Sequence, residues 1–84
     1  FAMAYTANGR TVRLKLSALA GPLSAAWFNP RHGTWHAAGV ETVKRVPFQR
    51  DVAAGPDAAD REFDPPGAPA DGNDWVLVLD AKND

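Results

Sequence analysis

Glycine and proline interrupt this chain so often that no long helix fits between them. The sequence holds seven of each in 84 residues, and pairs such as Gly21-Pro22 and Pro66-Gly67 end any regular run. Between these breaks, residues 12–16 (VRLKL) alternate apolar and polar side chains with the period of two that is typical of a half-buried strand. Short strands without a helix predict an all-β fold, a small antiparallel β-sandwich of about six to eight strands with an immunoglobulin-like layout.

The hydrophobic core of such a fold must be small. Hydrophobic residues make up 45% of the chain, but 16 of them are alanine and none is isoleucine, which leaves 22 bulky apolar side chains. A chain of this length buries only about 60% of the surface that it exposes when unfolded. We therefore expect one domain over residues 1–84, built around a single modest core.

Two hairpins are predicted from the residue types of their turns. Asn8-Gly9 tolerates positive φ at both central positions of a tight turn, so the runs on either side of it, the first of which begins at Phe1, are expected to pair. Residues 24–29 and 34–38 flank Pro30-Arg31-His32-Gly33. Here proline favours a type I turn, and the glycine can adopt the left-handed conformation that rejoins the strands.

The rest of the chain predicts shorter elements and one long apolar strand. Residues 17–22 predict a connection with at most one helical turn. Residues 41–52 contain Pro47, which cannot donate to a sheet, so we expect an edge strand or two short strands with a break near Val46-Pro47. Glu62-Phe63 predict a brief strand. Residues 74–80 (DWVLVLD) are apolar on both faces, which is typical of a central strand.

The net charge of −1 conceals a division of the chain. Residues 1–50 carry seven basic residues and one acidic residue, whereas residues 51–84 carry two basic and nine acidic residues. Such asymmetry is typical either of a nucleic-acid-binding region with an acidic tail or of two halves that neutralise each other within one fold. Because the whole chain is slightly acidic and lacks the aromatic and basic signature of a single-strand binder, we expect no nucleic-acid partner.

The chain contains no cysteine, which excludes disulfides, cysteine-based zinc sites and thiol chemistry. No apolar run approaches the length of a membrane span and no signal segment is present, so we expect no membrane partner. The sequence begins at Phe1, directly within a predicted strand. We interpret it as a piece of a longer polypeptide whose targeting information lies upstream.

No spacing of residues in the chain matches a catalytic or metal-binding motif. His32 and His36 lack a third ligand at zinc-binding spacing, so we interpret them as ordinary exposed histidines. Asp71-Gly72-Asn73-Asp74 lacks the alternating ligands and distant glutamate of a calcium loop and predicts a turn instead. No serine lies in a Gly-x-Ser-x-Gly nucleophile elbow. We expect no catalytic residue, metal or cofactor in this chain.

The three tryptophans lie in different settings. Two of them lie inside apolar runs and are expected in the core, whereas Trp35 follows a turn, where an exposed ring can stack on a sugar or anchor a protein partner. The binding site that this suggests comprises four residues of one hairpin: Arg31, His32, Trp35 and His36. Packing of Trp35 against Trp27 or Phe28 across the hairpin is the alternative. An exposed Trp35 would favour binding, and a Trp35 covered by residues 41–52 would favour a scaffold.

Three stretches in this order resemble a known family: residues 5–10 (YTANGR), residues 27–33 (WFNPRHG), and Phe63-Asp64-Pro65-Pro66 followed by residues 72–79 (GNDWVLVL). They are similar to the family named as the putative collagen-binding domain of a collagenase, and the resemblance covers nearly the whole chain. The sequence departs from the family pattern in a longer segment over residues 41–61. It also has a tryptophan, Trp35, where a small or charged residue is more usual.

The resemblance implies a non-catalytic β-sandwich, similar to the C-terminal domains of glycosidases, in a bacterial glycoside hydrolase of the apiosidase-like type. Its partner would be the catalytic TIM barrel of the same polypeptide, and the protein would be secreted or periplasmic. We expect such a domain to stabilise the barrel or to help place its substrate. The alternative is a module that binds polysaccharide or a collagen-like protein through the Trp35 hairpin.

Overall fold

A computed structural model describes residues 2–81 and confirms the all-β prediction. The eight strands are β1 (Ala2–Thr6), β2 (Val12–Leu14), β3 (Leu23–Asn29), β4 (Thr34–Ala37), β5 (Val40–Thr42), β6 (Gln49–Val52), β7 (Arg61–Phe63) and β8 (Trp75–Ala81). One 3-10 turn, Leu16–Ala18, occupies the predicted connection between β2 and β3. Phe1, with which the first predicted strand begins, lies outside the described residues.

The strands form a large antiparallel sheet and a small one. The main sheet has the order β1-β8-β3-β4-β5, and the second sheet consists of β2 and β7. β6 also pairs with β3, where Leu23 lies opposite Val52, while the other end of β3 pairs with β4, where Trp27 lies opposite His36. The strands β4 and β6 therefore follow one another along the same side of β3.

β8 lies between β1 and β3, as predicted from its two apolar faces. Its odd-numbered residues Trp75, Leu77 and Leu79 are at most 3% exposed and belong to the core between the sheets. Val78 points to the opposite face of the sheet, because side chains alternate along a strand, and it is nonetheless buried. On that opposite face, Val78 is therefore covered, whereas Val76 is half-buried.

Aromatic rings connect the main sheet to the small sheet through the core. Trp75 packs edge-on against Trp27 at 6.4 Å between ring centroids, and Trp27 stacks on Phe48 at 5.7 Å. Phe48 in turn contacts Phe63 of β7 edge-on at 6.3 Å. A few large rings thus fill the core between the two sheets. The predicted core positions of both Trp27 and Trp75 are confirmed.

The predicted hairpin around Asn8-Gly9 is wrong, although the turn itself is present. Arg10 N donates to Ala7 O at 3.3 Å, and both turn residues have positive φ, 60° and 73°. The strands on either side diverge, because β1 pairs with β8 and β2 pairs with β7. The turn therefore carries the chain from one sheet to the other, since pairing with the apolar β8 partly buries Ala2 and Ala4 against the core.

The second predicted hairpin is confirmed. Gly33 N donates to Asn29 O at 2.8 Å, and Gly33 has a φ of 68°, as the turn requires. The segment over residues 41–52 also forms two short strands, one of the two predicted arrangements. Between these strands, Phe48 N donates to Ala25 O at 2.8 Å, which fixes Phe48 beside β3 and its ring in the core.

The tight turn between β4 and β5 places an alanine in a strained conformation. Ala37 lies opposite Val40, so Ala38 and Gly39 are the two central residues, with φ of 51° and 78°. Left-handed backbone costs an alanine roughly 1 kcal/mol, whereas asparagine and glycine tolerate it better.

Ala38→Asn is therefore expected to raise the free energy of unfolding by about 0.5–1 kcal/mol, because asparagine suits this turn. Urea denaturation of the wild type and the variant measures the change. Ala59→Asn is the matched control, since Ala59 is also exposed but is not among the residues with positive φ. An equal gain from both substitutions would contradict the strain explanation.

Candidate functional site

The β3–β4 hairpin divides the four predicted site residues between the two faces of the main sheet. Phe28 lies opposite Trp35, and Trp27 lies opposite His36. Because alternate residues of a strand point to opposite faces, Trp35 lies on the face turned away from β2 and β7, here called the outer face. His36 lies on the inner face beside Trp75, at 5.5 Å between ring centroids.

Trp35 packs against Phe28, which is one of the two partners considered from the sequence. The two rings are 5.0 Å apart with an interplanar angle of 59°, and Trp35 is half-buried. Arg45, from the segment after β5, places its guanidinium carbon 5.6 Å from the centre of the Trp35 ring. The ring is thus neither fully exposed nor sealed beneath residues 41–52.

A row of apolar side chains crosses the outer face around Trp35. Strand register aligns Tyr5 with Val76, Val76 with Phe28, and Phe28 with Trp35. Tyr5 is 63% exposed, and Met3 and Val40 on neighbouring positions of the same face are 64% and 58% exposed. We call this surface the outer apolar face, and its members are Met3, Tyr5, Phe28, Trp35, Val40 and Val76.

Sequence reasoning did not identify Met3 and Tyr5 as part of a site. The alternation of β1 (AMAYT) places both on one side of the strand, but only the pairing of β1 with β8 shows that this side is the outer face. The alternation in the sequence therefore shows that Met3 and Tyr5 share a face. Which face of the sheet this is depends on the pairing with β8, at the far end of the chain.

Charged groups at the rim of the outer apolar face come from both halves of the chain. Arg45 Nη1 lies 3.1 Å from Asp80 Oδ2. The pKa of Asp80 lies below its ordinary value, mainly because the backbone N–H of Ala81 donates to it and also because of Arg45. On β1, a hydrogen bond with Asp74 raises the pKa of Tyr5. The basic and acidic halves therefore meet on one surface.

On the inner side, Arg31 connects the β3–β4 turn to the segment before β8. Its guanidinium carbon lies 5.1 Å from the centre of the Trp75 ring, within the range of a cation–π interaction. Arg31 Nη2 donates to Asn73 Oδ1 at 3.3 Å, and Trp75 Nε1 donates to the same oxygen at 2.8 Å. Arg31 is thus engaged in contacts that hold the fold together.

Asn73 also fixes the loop that precedes β8. Its side-chain nitrogen donates to Pro66 O at 3.0 Å and to Ala68 O at 3.1 Å, while its backbone N–H donates to Ala70 O at 3.1 Å. The stretch that superficially suggests a calcium loop is therefore a turn, as predicted. Its last carboxylate, Asp74 Oδ1, accepts a hydrogen bond from Asn8 N at 3.0 Å.

His32 belongs to a second polar cluster, which is centred on Glu41. Glu41 Oε1 accepts a hydrogen bond from Asn29 Nδ2 at 2.9 Å, and Glu41 Oε2 accepts one from Thr34 Oγ1 at 3.1 Å. His32 Nδ1 lies 3.4 Å from the same Oε2 atom. The bond from Asn29 is the largest cause, followed by His32, of a pKa of Glu41 below its ordinary value. Asn29 itself is only 1% exposed. The cluster closes the β3–β4 turn against β5.

Across the described range, residues 2–81, no group of three or more histidine, cysteine, aspartate or glutamate side chains is placed to hold a metal ion. The same range contains no helix that is long and apolar enough to cross a membrane.

The four predicted binding residues have these locations: Trp35 on the outer face, Arg31 and His36 against Trp75, and His32 beside Glu41.

The lowered pKa of Glu41 predicts a contribution to the acid sensitivity of the fold. Because the folded state binds the proton less readily than the unfolded state, the stabilisation is present above the ordinary pKa and is lost as the pH falls through the lowered value. Glu41→Gln is expected to reduce the loss of unfolding free energy on acidification. Urea denaturation from neutral pH down through the carboxylate range measures it, and an unchanged pH profile would contradict this role.

The motifs that these contacts connect lie within the match of the chain to one protein family. No curated protein and no solved structure matches the chain. The model of one family, described as "Putative collagen-binding domain of a collagenase", matches residues 1–80. This match includes the β3–β4 turn, the segment held by Asn73, and β8, so the chain belongs to the putative collagen-binding domain family.

Proposed function

We propose that this chain is a non-catalytic C-terminal accessory domain of a bacterial glycoside hydrolase, and that it stabilises the catalytic TIM barrel or helps to place its substrate. The observation that carries the proposal is the outer apolar face. Met3, Tyr5 and Val40 are each more than half exposed there. Exposed apolar side chains grouped on one face of a small domain are typical of a contact with another protein surface.

The chemistry of the outer apolar face favours protein over sugar as the neighbour. Methionine and valine offer neither a hydrogen bond nor a flat ring to a polar sugar, whereas methionine, tyrosine and tryptophan are enriched in protein interfaces. The Arg45–Asp80 pair at the rim, 3.1 Å apart, provides the polar border that such interfaces have. A barrel in the same polypeptide is the neighbour that we propose.

The groups with the most reactive side chains support an accessory role, because they hold the fold together. Arg31 stacks on Trp75, His36 contacts the same ring, and His32 and Glu41 close the turn. Each of these side chains makes a contact within the fold. Together with the family membership, this distribution favours a domain that binds and supports over one that reacts. We propose a secreted or periplasmic setting for the whole protein.

The accessory role predicts different effects in the whole polypeptide and in the isolated chain. Met3→Ser combined with Tyr5→Ser should lower the thermal stability of the catalytic activity in the whole protein, because it removes apolar contact with the barrel. In the isolated 84-residue chain, these exposed positions should change the unfolding free energy by only about 0.5 kcal/mol each. Heat inactivation of the whole protein and urea denaturation of the chain measure the two effects.

Val43→Ser is the matched control for this experiment, since Val43 is 84% exposed but follows β5 in a loop. It should change neither measurement. Removal of the entire domain extends the test. If the truncated enzyme keeps its stability and its activity on polymeric substrate, the accessory role is excluded.

A second candidate, a carbohydrate- or collagen-binding module, is favoured by the aromatic members of the same face. Tyr5, Phe28 and Trp35 lie in one row across the main sheet, with Val76 of β8 between Tyr5 and Phe28. Aromatic faces bind sugars and proline-rich helices by stacking. Retention of the chain on insoluble polysaccharides and on collagen is the measurement. The module predicts retention that Trp35→Ala abolishes and that His36→Ala, on the inner face, leaves intact. No retention, or retention indifferent to Trp35, would remove this candidate.

A further inference from the structure

The turn between β1 and β2 contains the pair Asn8-Gly9 in a confined setting. Gly9 is buried, and a Cβ atom there would lie 2.8 Å from Asn73 Nδ2, 3.0 Å from Pro69 Cα and 3.1 Å from Ala68 O. The loop of residues 66–73 is therefore seated directly on this turn. Only glycine fits beneath it, because any side chain would meet backbone atoms.

Three hydrogen bonds join Asn8 to the segment before β8. Asn8 N donates to Asp74 Oδ1 at 3.0 Å, Asn8 O accepts from Ala70 N at 3.0 Å, and Asn8 Oδ1 accepts from Gly72 N at 3.1 Å. Both the backbone and the side chain of Asn8 are thus fixed by the loop. The side-chain amide cannot rotate freely while these bonds persist.

An asparagine followed by glycine is chemically reactive, because glycine has no side chain to obstruct its own nitrogen. The backbone nitrogen of Gly9 attacks Cγ of Asn8, a ring closes through the new N–C bond, and the side-chain nitrogen leaves as ammonia with the displaced proton. Water then opens the ring at either carbonyl, which yields aspartate or isoaspartate. One water is consumed and one ammonia is released, without any oxidant or reductant.

We propose that Asn8 is a modification site at which this deamidation is held back by the seated 66–73 loop and, once it occurs, releases that loop. The first part follows from the bonds that immobilise Asn8, since attack requires its side chain to turn onto Gly9 N. The second follows from charge and length. A carboxylate at position 8 adds a second negative charge to a turn where Asp74 Oδ1 already accepts from Asn8 N, and isoaspartate also lengthens the backbone of a two-residue turn.

Release of the loop has a consequence beyond the turn. Asn73 lies at the end of this loop and bonds both Arg31 and the indole of Trp75. Modification of Asn8 therefore weakens the connection between the first turn, the β3–β4 turn and β8. The reaction is irreversible, so it marks domains that have opened at this loop.

Peptide mapping by mass spectrometry tests the first part, with the chain incubated in mildly alkaline buffer either folded or in urea. Asn8 should deamidate on the order of tenfold more slowly in the folded chain, because reaction there requires local opening. Asn29 is the internal control, since the nitrogen of Pro30 carries no proton and cannot take this route. Equal rates at Asn8 in the two states, or no faster reaction at Asn8 than at Asn29 in urea, would overturn the proposal.

Asn8→Asp tests the second part as a mimic of the aspartate product. It should lower the folding equilibrium constant by about three- to tenfold at neutral pH, through repulsion and a weakened turn. Asp74→Asn keeps a side-chain oxygen as acceptor and removes the opposing charge, so Asn8→Asp should cost less in that background. A substitution at Asn8 that is neutral in the wild type, or equally costly in both backgrounds, would overturn the release of the loop by charge.

Discussion

The contact between Trp27 and Trp75 is the interaction on which the rest of this domain depends. It joins the two longest strands at the centre of the main sheet, and Phe48 and Phe63 extend it to the small sheet. Loss of one such ring from a core typically costs about 3–5 kcal/mol, a large part of the roughly 5–15 kcal/mol that stabilises a domain. A chain with many alanines and no isoleucine has few other means of filling the space between its sheets.

Trp75 also connects two motifs that lie far apart in the chain. Arg31 of the β3–β4 turn lies over its ring, and Asn73 accepts a hydrogen bond from its indole nitrogen. The turn and the segment before β8 therefore form one structural unit, although more than 40 residues separate them, as the pair Arg31 and Asn73 shows. The inner side of the hairpin is occupied in this way, and we propose the outer apolar face as the surface that contacts a partner.

The sequence predicts those parts of the fold that local chemistry determines. The turn from Asn29 to Gly33 is defined by its own residues, so the sequence predicts the β3–β4 hairpin. The apolar run of β8 likewise predicts a central strand. The turn at Asn8-Gly9 is defined equally well, but turn residues do not say which strands pair beyond it. That choice depends on β8 and β7, which lie at the far end of the chain, and it cannot be read from nearby residues.

The candidate site shows the same division. Proximity along the chain groups Arg31, His32, Trp35 and His36, whereas strand alternation already separates Trp35 from His36. The membership of Met3 and Tyr5 in the outer apolar face depends on long-range pairing and is visible only in the structure. The structure also shows that charges of the two halves pair with each other. Arg45 lies beside Asp80, and Arg13 lies near Asp60 and Glu62.

Trp75 holds the domain together through its contact with Trp27 in the core, and Arg31 joins the β3–β4 turn to the same ring. A double-mutant cycle with Arg31→Met and Trp75→Leu, measured by urea denaturation of the 84-residue chain, tests this role of Trp75 most directly. We predict that the two substitutions are coupled by about 0.5–1 kcal/mol, the range for a cation–π contact of an exposed arginine. Additive effects, with no coupling between the two residues, would contradict it.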